Sequence, residues 1–338
     1  MIRSGRWRDA ICAGFLACAL ALSPGAHAQQ LTLKLATQTV SGTAQYDGAV
    51  RFAELVAQKT SGRVAVKVYG DGALGGDLQI ISGLQRGTIE MALMNAGLLQ
   101  GVAKEFTVLD FPFLFNTEDE AYAVLDGPIG KKLLDLLAPK GIVGLAYPEL
   151  GFRHIHNSKH AIERIEDLHG LKIRVIQTPI YVDTINALGA NAVPLPFPDL
   201  YHALERKSVD GATDPLVTIA VLKFDEVQPF LTLTRHAYNP QIFLISKAAL
   251  DKLPAADRTA VQEAAVEARD FERKISRERN AQALERLKKT MRITELVETE
   301  QAKMREAVKP VVDKYTKIAG ESLVAELKTE LARIRTRK

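Results

Sequence analysis

Cysteine and tryptophan are almost missing from this sequence. Trp7, Cys12 and Cys18 are the only ones among 338 residues, and all three stand at the extreme N-terminus. Without cysteine in the body of the chain there is no disulfide scaffold, no thiolate nucleophile and no cysteine-held metal. Charge of one sign is also scarce. The formal net charge of +4 is too small to mark a nucleic-acid surface. Beyond the N-terminus no apolar run approaches the ~18 residues that a membrane-spanning helix needs. A Gly-x4-Gly-Lys-Ser/Thr phosphate loop is absent, and so is a Gly-x-Ser-x-Gly elbow, which leaves P-loop nucleotide binding and serine-hydrolase chemistry without support.

The N-terminus has the form of an export signal. Arg3, Arg6 and Arg8 precede an uncharged apolar stretch from Ala10 to Leu22, Ser23-Pro24-Gly25 breaks it, and Ala26-His27-Ala28 is a small-x-small cleavage site. Removing residues 1–28 leaves 41 basic against 39 acidic residues and takes away every cysteine and the tryptophan. The sequence therefore predicts a periplasmic chain, outside the membrane once the signal is cut; a monomer is the expectation, though no residue pattern fixes the oligomeric state.

Alternating and helical patterns then follow one another. Leu31–Ala36 and Val64–Tyr69 read as strands, Tyr46–Lys59 as an amphipathic helix, Asp77 to about Gln85 as a helix and Ile89–Met94 as a third strand. Such a β-α-β-α-β series predicts a mostly parallel sheet covered by helices. Phe111-Pro112-Phe113-Leu114-Phe115 is expected in the core, short helices over 118–125 and 129–137, and a fourth strand over 142–146. Tyr147 to Gly151 breaks the pattern and is read as a crossing between domains. A second α/β unit opens at Phe152, with strands near 153–156, 172–175, 192–194 and 209–212. Two further strands, Leu231–Arg235 and Gln241–Ser246, are expected on either side of a turn at Tyr238-Asn239-Pro240, which is read as the return crossing. From Pro254 to about Lys289 the chain is rich in Ala, Glu and Arg. A stripe of Val261, Ala264, Ala265, Ala268, Phe271 and Ile275 predicts one helix of about 50 Å. Two polar helices around Gly320 complete the expectation.

The stretch from Gly151 to Pro215 organises the functional reading. Arg153 and Arg174 lie on short apolar runs that read as buried strands, where an arginine is costly unless an anion meets it. A guanidinium grips a carboxylate through two parallel hydrogen bonds, so Arg174, helped by Arg153, is read as the holder of a small acid. His154, His156 and His160 are close enough to suggest a metal, but nothing completes a ligand set, and they are read as partly exposed strand histidines.

The chain resembles the extracytoplasmic solute-binding proteins of TRAP transporters, the DctP family. The blocks that carry the resemblance stand in order: Phe52-Ala53-Glu54-Leu55-Val56, Leu74-Gly75-Gly76-Asp77, Gly87-Thr88-Ile89-Glu90-Met91, Leu109-Asp110-Phe111-Pro112-Phe113-Leu114-Phe115, Leu125-Asp126-Gly127-Pro128-Ile129-Gly130 and Asp167-Leu168-His169-Gly170-Leu171-Lys172-Ile173-Arg174-Val175. The resemblance implies an α/β fold of two lobes with a ligand cleft between them and a long helix spanning both. One lobe would hold 29–150 and 239–278, the other 151–238 and 279–338. It implies a periplasmic binding protein with no catalysis, no cofactor and no metal. Its partners would be a small organic acid and the subunits of a TRAP membrane permease, with no nucleic acid. Arg174 matches the family's carboxylate-binding arginine, and Arg153 a second cleft residue. Gln38, Asp77 and Asn95 match polar ligand-facing positions, and Phe197 an aromatic that packs over the ligand. Asp214 stands where asparagine is common. An ionised Asp only accepts hydrogen bonds and repels a carboxylate, so it predicts a ligand hydroxyl and a sugar acid of the uronate or aldonate type, unless Asp214 pairs with a cleft arginine. The alternatives left open are a C4-dicarboxylate or other monocarboxylate as ligand, an ATP-driven permease as partner, a sensory role, and an exported enzyme acting on an organic acid.

Overall fold

In the computed structural model, which describes residues 30–336, ten strands form two sheets joined through one long strand. The leader expected at 1–28 lies outside the described residues. The first half runs β1 (Leu31–Thr37), α1 (Ala44–Lys59), β2 (Val64–Tyr69), α2 (Asp77–Arg86), β3 (Met91–Asn95), two 3-10 segments over 96–110, α3 (Glu118–Leu125), α4 (Pro128–Asp135) and β4 (Ile142–Ala146). The middle runs β5 (Glu149–Asn157), β6 (Lys172–Val175), α5 (Pro179–Ala187), β7 (Asn191–Pro194), α6 (Leu200–Glu205), β8 (Gly211–Asp214), α7 (Leu216–Val221) and β9 (Phe230–Ser246). The rest is helical apart from one strand: α8 (Lys247–Asp251), α9 (Ala255–Leu287), β10 (Arg292–Glu295), α10 (Glu298–Ala307), α11 (Lys309–Ala319) and α12 (Glu321–Thr336).

Local chemistry sets the first elements. Leu33 and Leu35 point from β1 into a core with Phe52 and Val56 of α1, and Phe52 stacks on Phe243 of β9 with ring centroids 5.0 Å apart. The Thr43 hydroxyl accepts from the Tyr46 N–H and starts α1, and Gly87 in the left-handed region ends α2. Side by side the first sheet reads β2-β1-β3-β9-β4 and the second β10-β9-β5-β8-β6-β7.

β9 corrects the two-strand expectation. It is one 17-residue strand, and Tyr238-Asn239-Pro240 stays inside it. Ala237 to Pro240 find partners in Arg153 to Glu149 of β5, so the backbone there has a ladder to join. Pro240 has no N–H to give and stands beside a register shift, where a ladder tolerates proline. Arg235, at φ 46°, absorbs a second irregularity opposite β5. The break expected over 147–151 narrows accordingly, because β5 already begins at Glu149.

α9 backs both sheets, packing on α1 and β4 with its first part and on α7 with its last. Four of the six residues of its expected stripe are apolar core. Val261, Ala264, Ala265 and Ala268 are buried, but Phe271 is 38% exposed, and Glu272, Arg273 and Ser276 are buried instead. The reason lies beneath the helix, where the chain crosses between sheets and leaves backbone groups to satisfy. Glu272 accepts from the Glu149 N–H at 2.8 Å, and Arg273 donates to the Tyr147 carbonyl at 2.6 and 3.1 Å. α1 comes so near that a Cβ on Gly48 would lie 2.8 Å from the Glu272 side chain. The tail holds more than two helices, and its pieces touch both halves: α11 packs on α5 and the 3-10 segment 104–110, α12 on α3. No helix among the described residues is long and apolar enough to cross a membrane.

Candidate ligand-binding cleft

A cleft opens between the two sheets. All seven residues singled out from the sequence line it: Gln38, Asp77 and Asn95 from the first sheet and its helices, Arg153, Arg174, Phe197 and Asp214 from the second. The strand ends bring them there. Gln38 follows β1, Asn95 closes β3, and Asp214 closes β8, so the cleft sits at carboxyl ends of parallel strands, the usual place for a ligand in such folds.

Arg174 is 3% exposed and has no ion pair among the described residues. Its Nε and Nη2 donate to the Leu195 carbonyl at 3.0 and 2.7 Å, and its guanidinium carbon stands 5.7 Å from the Phe197 ring centre. The carbonyl anchors one edge of the fork, and Nη1 is left without an acceptor among the described residues. Burial pulls the group down to about 10, with Asp214 and Asp77 opposing that pull. An anion in the cleft would relieve this cost.

Arg153 is more firmly held. Nε donates to the Thr213 hydroxyl at 3.0 Å, Nη1 to Asn239 Oδ1 at 2.9 Å and Nη2 to Asp214 Oδ1 at 3.1 Å. The other oxygen of Asp214 meets His156 Nε2 at 3.2 Å, and His156 Nδ1 faces Gln228. Burial works against charge on Asp214, but Arg153 and His156 outweigh it and hold the carboxyl below its ordinary range. Asp214 is thus paired from within, and the inference that it awaits a ligand hydroxyl loses its basis.

The histidines also differ from expectation. His154 and His156 are 4% and 0% exposed rather than partly exposed, because β5 is flanked by β8 and β9 and both its faces are covered. Burial, with Arg235 and Arg153 nearby, depresses His154 to about 3, and His236 falls to about 3 for the same first reason. Asp77 is the opposite case. It opens α2 as the first residue after Gly76, and burial raises it to about 6 against the pull of Arg174.

Gln241 also lines the cleft and was not foreseen. It is 4% exposed and pairs in register with Asn95 across β3 and β9. A lone amide at the head of the apolar run Ile242–Ile245 was its only signal in the sequence.

Residues 35–318 match the family described as bacterial extracellular solute-binding protein, family 7 (DctP). The chain is 34% identical over 281 residues to the 2,3-diketo-L-gulonate-binding periplasmic protein YiaO of Escherichia coli, covering 83% of this chain and 85% of that one. Among solved structures it is similar to a TRAP periplasmic solute-binding protein from Ochrobactrum anthropi that has its C-terminus bound in the ligand-binding pocket. The TM-score is 0.83 and the identity 48%, over 92% of this chain and 97% of that one. It is also similar to the sugar acid binding protein DctPAm from Advenella mimigardefordensis in complex with galactonate, at TM-score 0.88 and 39% identity over 90% and 99% of the two chains.

Proposed function

This chain belongs to the bacterial extracellular solute-binding protein family 7, and from that premise we propose that it captures a sugar acid in the periplasm and delivers it to a TRAP membrane permease. Members of the family are transport binding proteins and not enzymes. The observation that carries the reading is Arg174: a buried guanidinium with no ion pair among the described residues and an open edge on the cleft. It would take the acid group, with Phe197 covering the same end. The sugar-acid class is supported by the relatives named for diketogulonate and galactonate, each similar over most of its length. Arg153 would shape the cleft mainly by holding Asp214 and Asn239 in place.

The lobes would be the two sheets with their helices, hinged near 147–152 and 236–240. Ligand contacts made only when the lobes approach would shift the population toward the closed form, which the permease would read. No bond is made or broken. Thermal-shift screening against an organic-acid library tests the proposal, followed by calorimetry because the chain after residue 28 has no tryptophan. Stabilisation by aldonates or uronates is expected. Turnover of a bound acid, or tighter binding of succinate or malate than of every sugar acid, would reject it.

A further inference from the structure

Asn95 and Gln241 face each other in the antiparallel pairing of β3 with β9, so their side chains leave the same face of the sheet, and both line the cleft. Neither amide oxygen meets a donor among the described residues. Asn95 Oδ1 and Gln241 Oε1 are buried without a hydrogen-bond partner. Asn95 precedes the 3-10 segment Ala96–Gly101 but makes no side-chain cap to it. The Gln241 backbone N–H is met by the Pro148 carbonyl at 2.9 Å, yet its side chain is not. A third amide, Gln38, donates to the Gly75 carbonyl at 2.8 Å and leaves Oε1 buried and unmet as well.

Buried polar atoms are costly when left alone, so these oxygens call for donors. A carboxylate supplies none. A hydroxyl donates once and accepts, and an amide does both in return, so two adjacent amides match two neighbouring hydroxyls of one ligand. Asp77 on the same wall accepts only when ionised, and opposes a second ligand carboxylate.

From this we propose that Asn95 and Gln241 form a diol-reading subsite that makes the protein select acids carrying neighbouring hydroxyl groups. The proposal rests on the acid-binding reading above and adds what decides among acids. Arg174 on β6 takes the carboxylate, and the paired amides on β3 and β9 take the hydroxyls, so the two chemical ends of the ligand are held by different sheets. A chain without hydroxyls would leave the amide oxygens desolvated and unmet.

Calorimetry with four probes tests it: D-galactonate, D-galacturonate, hexanoate and adipate, against the unaltered protein and Gln241→Leu, Asn95→Leu and Arg174→Ala. The unaltered protein should bind at least one of the two sugar acids about 100-fold more tightly than hexanoate or adipate, a difference that needs no variant. Gln241→Leu should weaken that sugar acid at least tenfold and change hexanoate less than threefold. Gln241→Leu and Asn95→Leu both retaining the sugar acid within threefold would overturn the subsite, as would an equal loss for hexanoate. Hexanoate or adipate binding as tightly as the sugar acids, with Arg174→Ala still abolishing binding, would also overturn it while leaving acid capture standing. Binding of none of the four by the unaltered protein would bring down the acid reading and the subsite together.

Discussion

Arg153 and Asp214 face each other between β5 and β8 at 3.1 Å, each with a side chain only 2% exposed. Few relationships in the cleft constrain it more. The pair lies on the cleft wall, but the carboxylate is already shared with His156, so its first role is to keep that wall in one shape.

Arg153→Met should therefore be a stability variant before it is a binding variant. Removing one member of a buried pair strands the other, at about 3–5 kcal/mol. Urea denaturation should show that loss, and Arg153→Met combined with Asp214→Leu should recover part of it. A single variant as stable as the unaltered protein would contradict the structural role.

Arg174→Ala should behave in the reverse way. It removes a buried charge anchored only to the Leu195 carbonyl, so melting should hold or rise. Affinity for the acid should drop at least tenfold, about 1.4 kcal/mol. Arg174→Lys should not restore it, because a point charge lacks the planar fork. Calorimetry beside a melting curve separates the two effects, and unchanged affinity in Arg174→Ala would refute the carboxylate role.

Asp77 should make binding depend on pH. Burial raises it to about 6, so it is ionised at neutral pH and opposes an incoming anion. Lowering the pH from about 8 to about 5.5 protonates Asp77 while a sugar acid stays ionised, and affinity should rise severalfold. Asp77→Asn should bind at the strengthened level throughout that range. A wild-type affinity independent of pH would remove Asp77 from the site.

His154 and His236 should set an acid limb in the stability curve. Both are depressed to about 3 in the folded protein, against an ordinary value of 6.5. The unfolded chain takes up protons first, so their contribution is full above 6.5 and is lost as pH falls toward 3, by at most about 1.4 kcal/mol per pH unit for each. Asp110 works the other way. Burial raises it to about 7 despite Arg153 and Tyr181, so its penalty fades as pH falls from 7 toward 4. Denaturation of His236→Gln between about pH 6.5 and 4 should show a shallower loss than the unaltered protein. Parallel curves would mean that His236 is protonated in the fold.

The cleft was legible where function rests on local sequence. Gln38, Asp77, Asn95 and Asp214 were singled out through the family resemblance, and in the fold Asn95 and Asp214 close short strands, Gln38 follows one and Asp77 opens a helix after two glycines. What escaped depends on register. His156 reaches Asp214 only because β5 and β8 pair with His154 opposite Asp214 and His156 opposite Ala212. Gln241 meets Asn95 only through the pairing of β3 with β9. The continuity of β9 escaped for a related reason. Tyr238-Asn239-Pro240 carries turn residues, and only a partner strand distant in sequence keeps it extended. In α9, the buried Glu272, Arg273 and Ser276 answer to backbone from elsewhere, which no helical period records.

Because β9 belongs to both sheets, the two halves of the protein are coupled by a hydrogen-bonded ribbon. A swing of one half against the other has to be taken up as torsion along that ribbon, with the irregularities at Arg235 and Pro240 as its softest points. Any such swing would work against the pairing of β9 with β5.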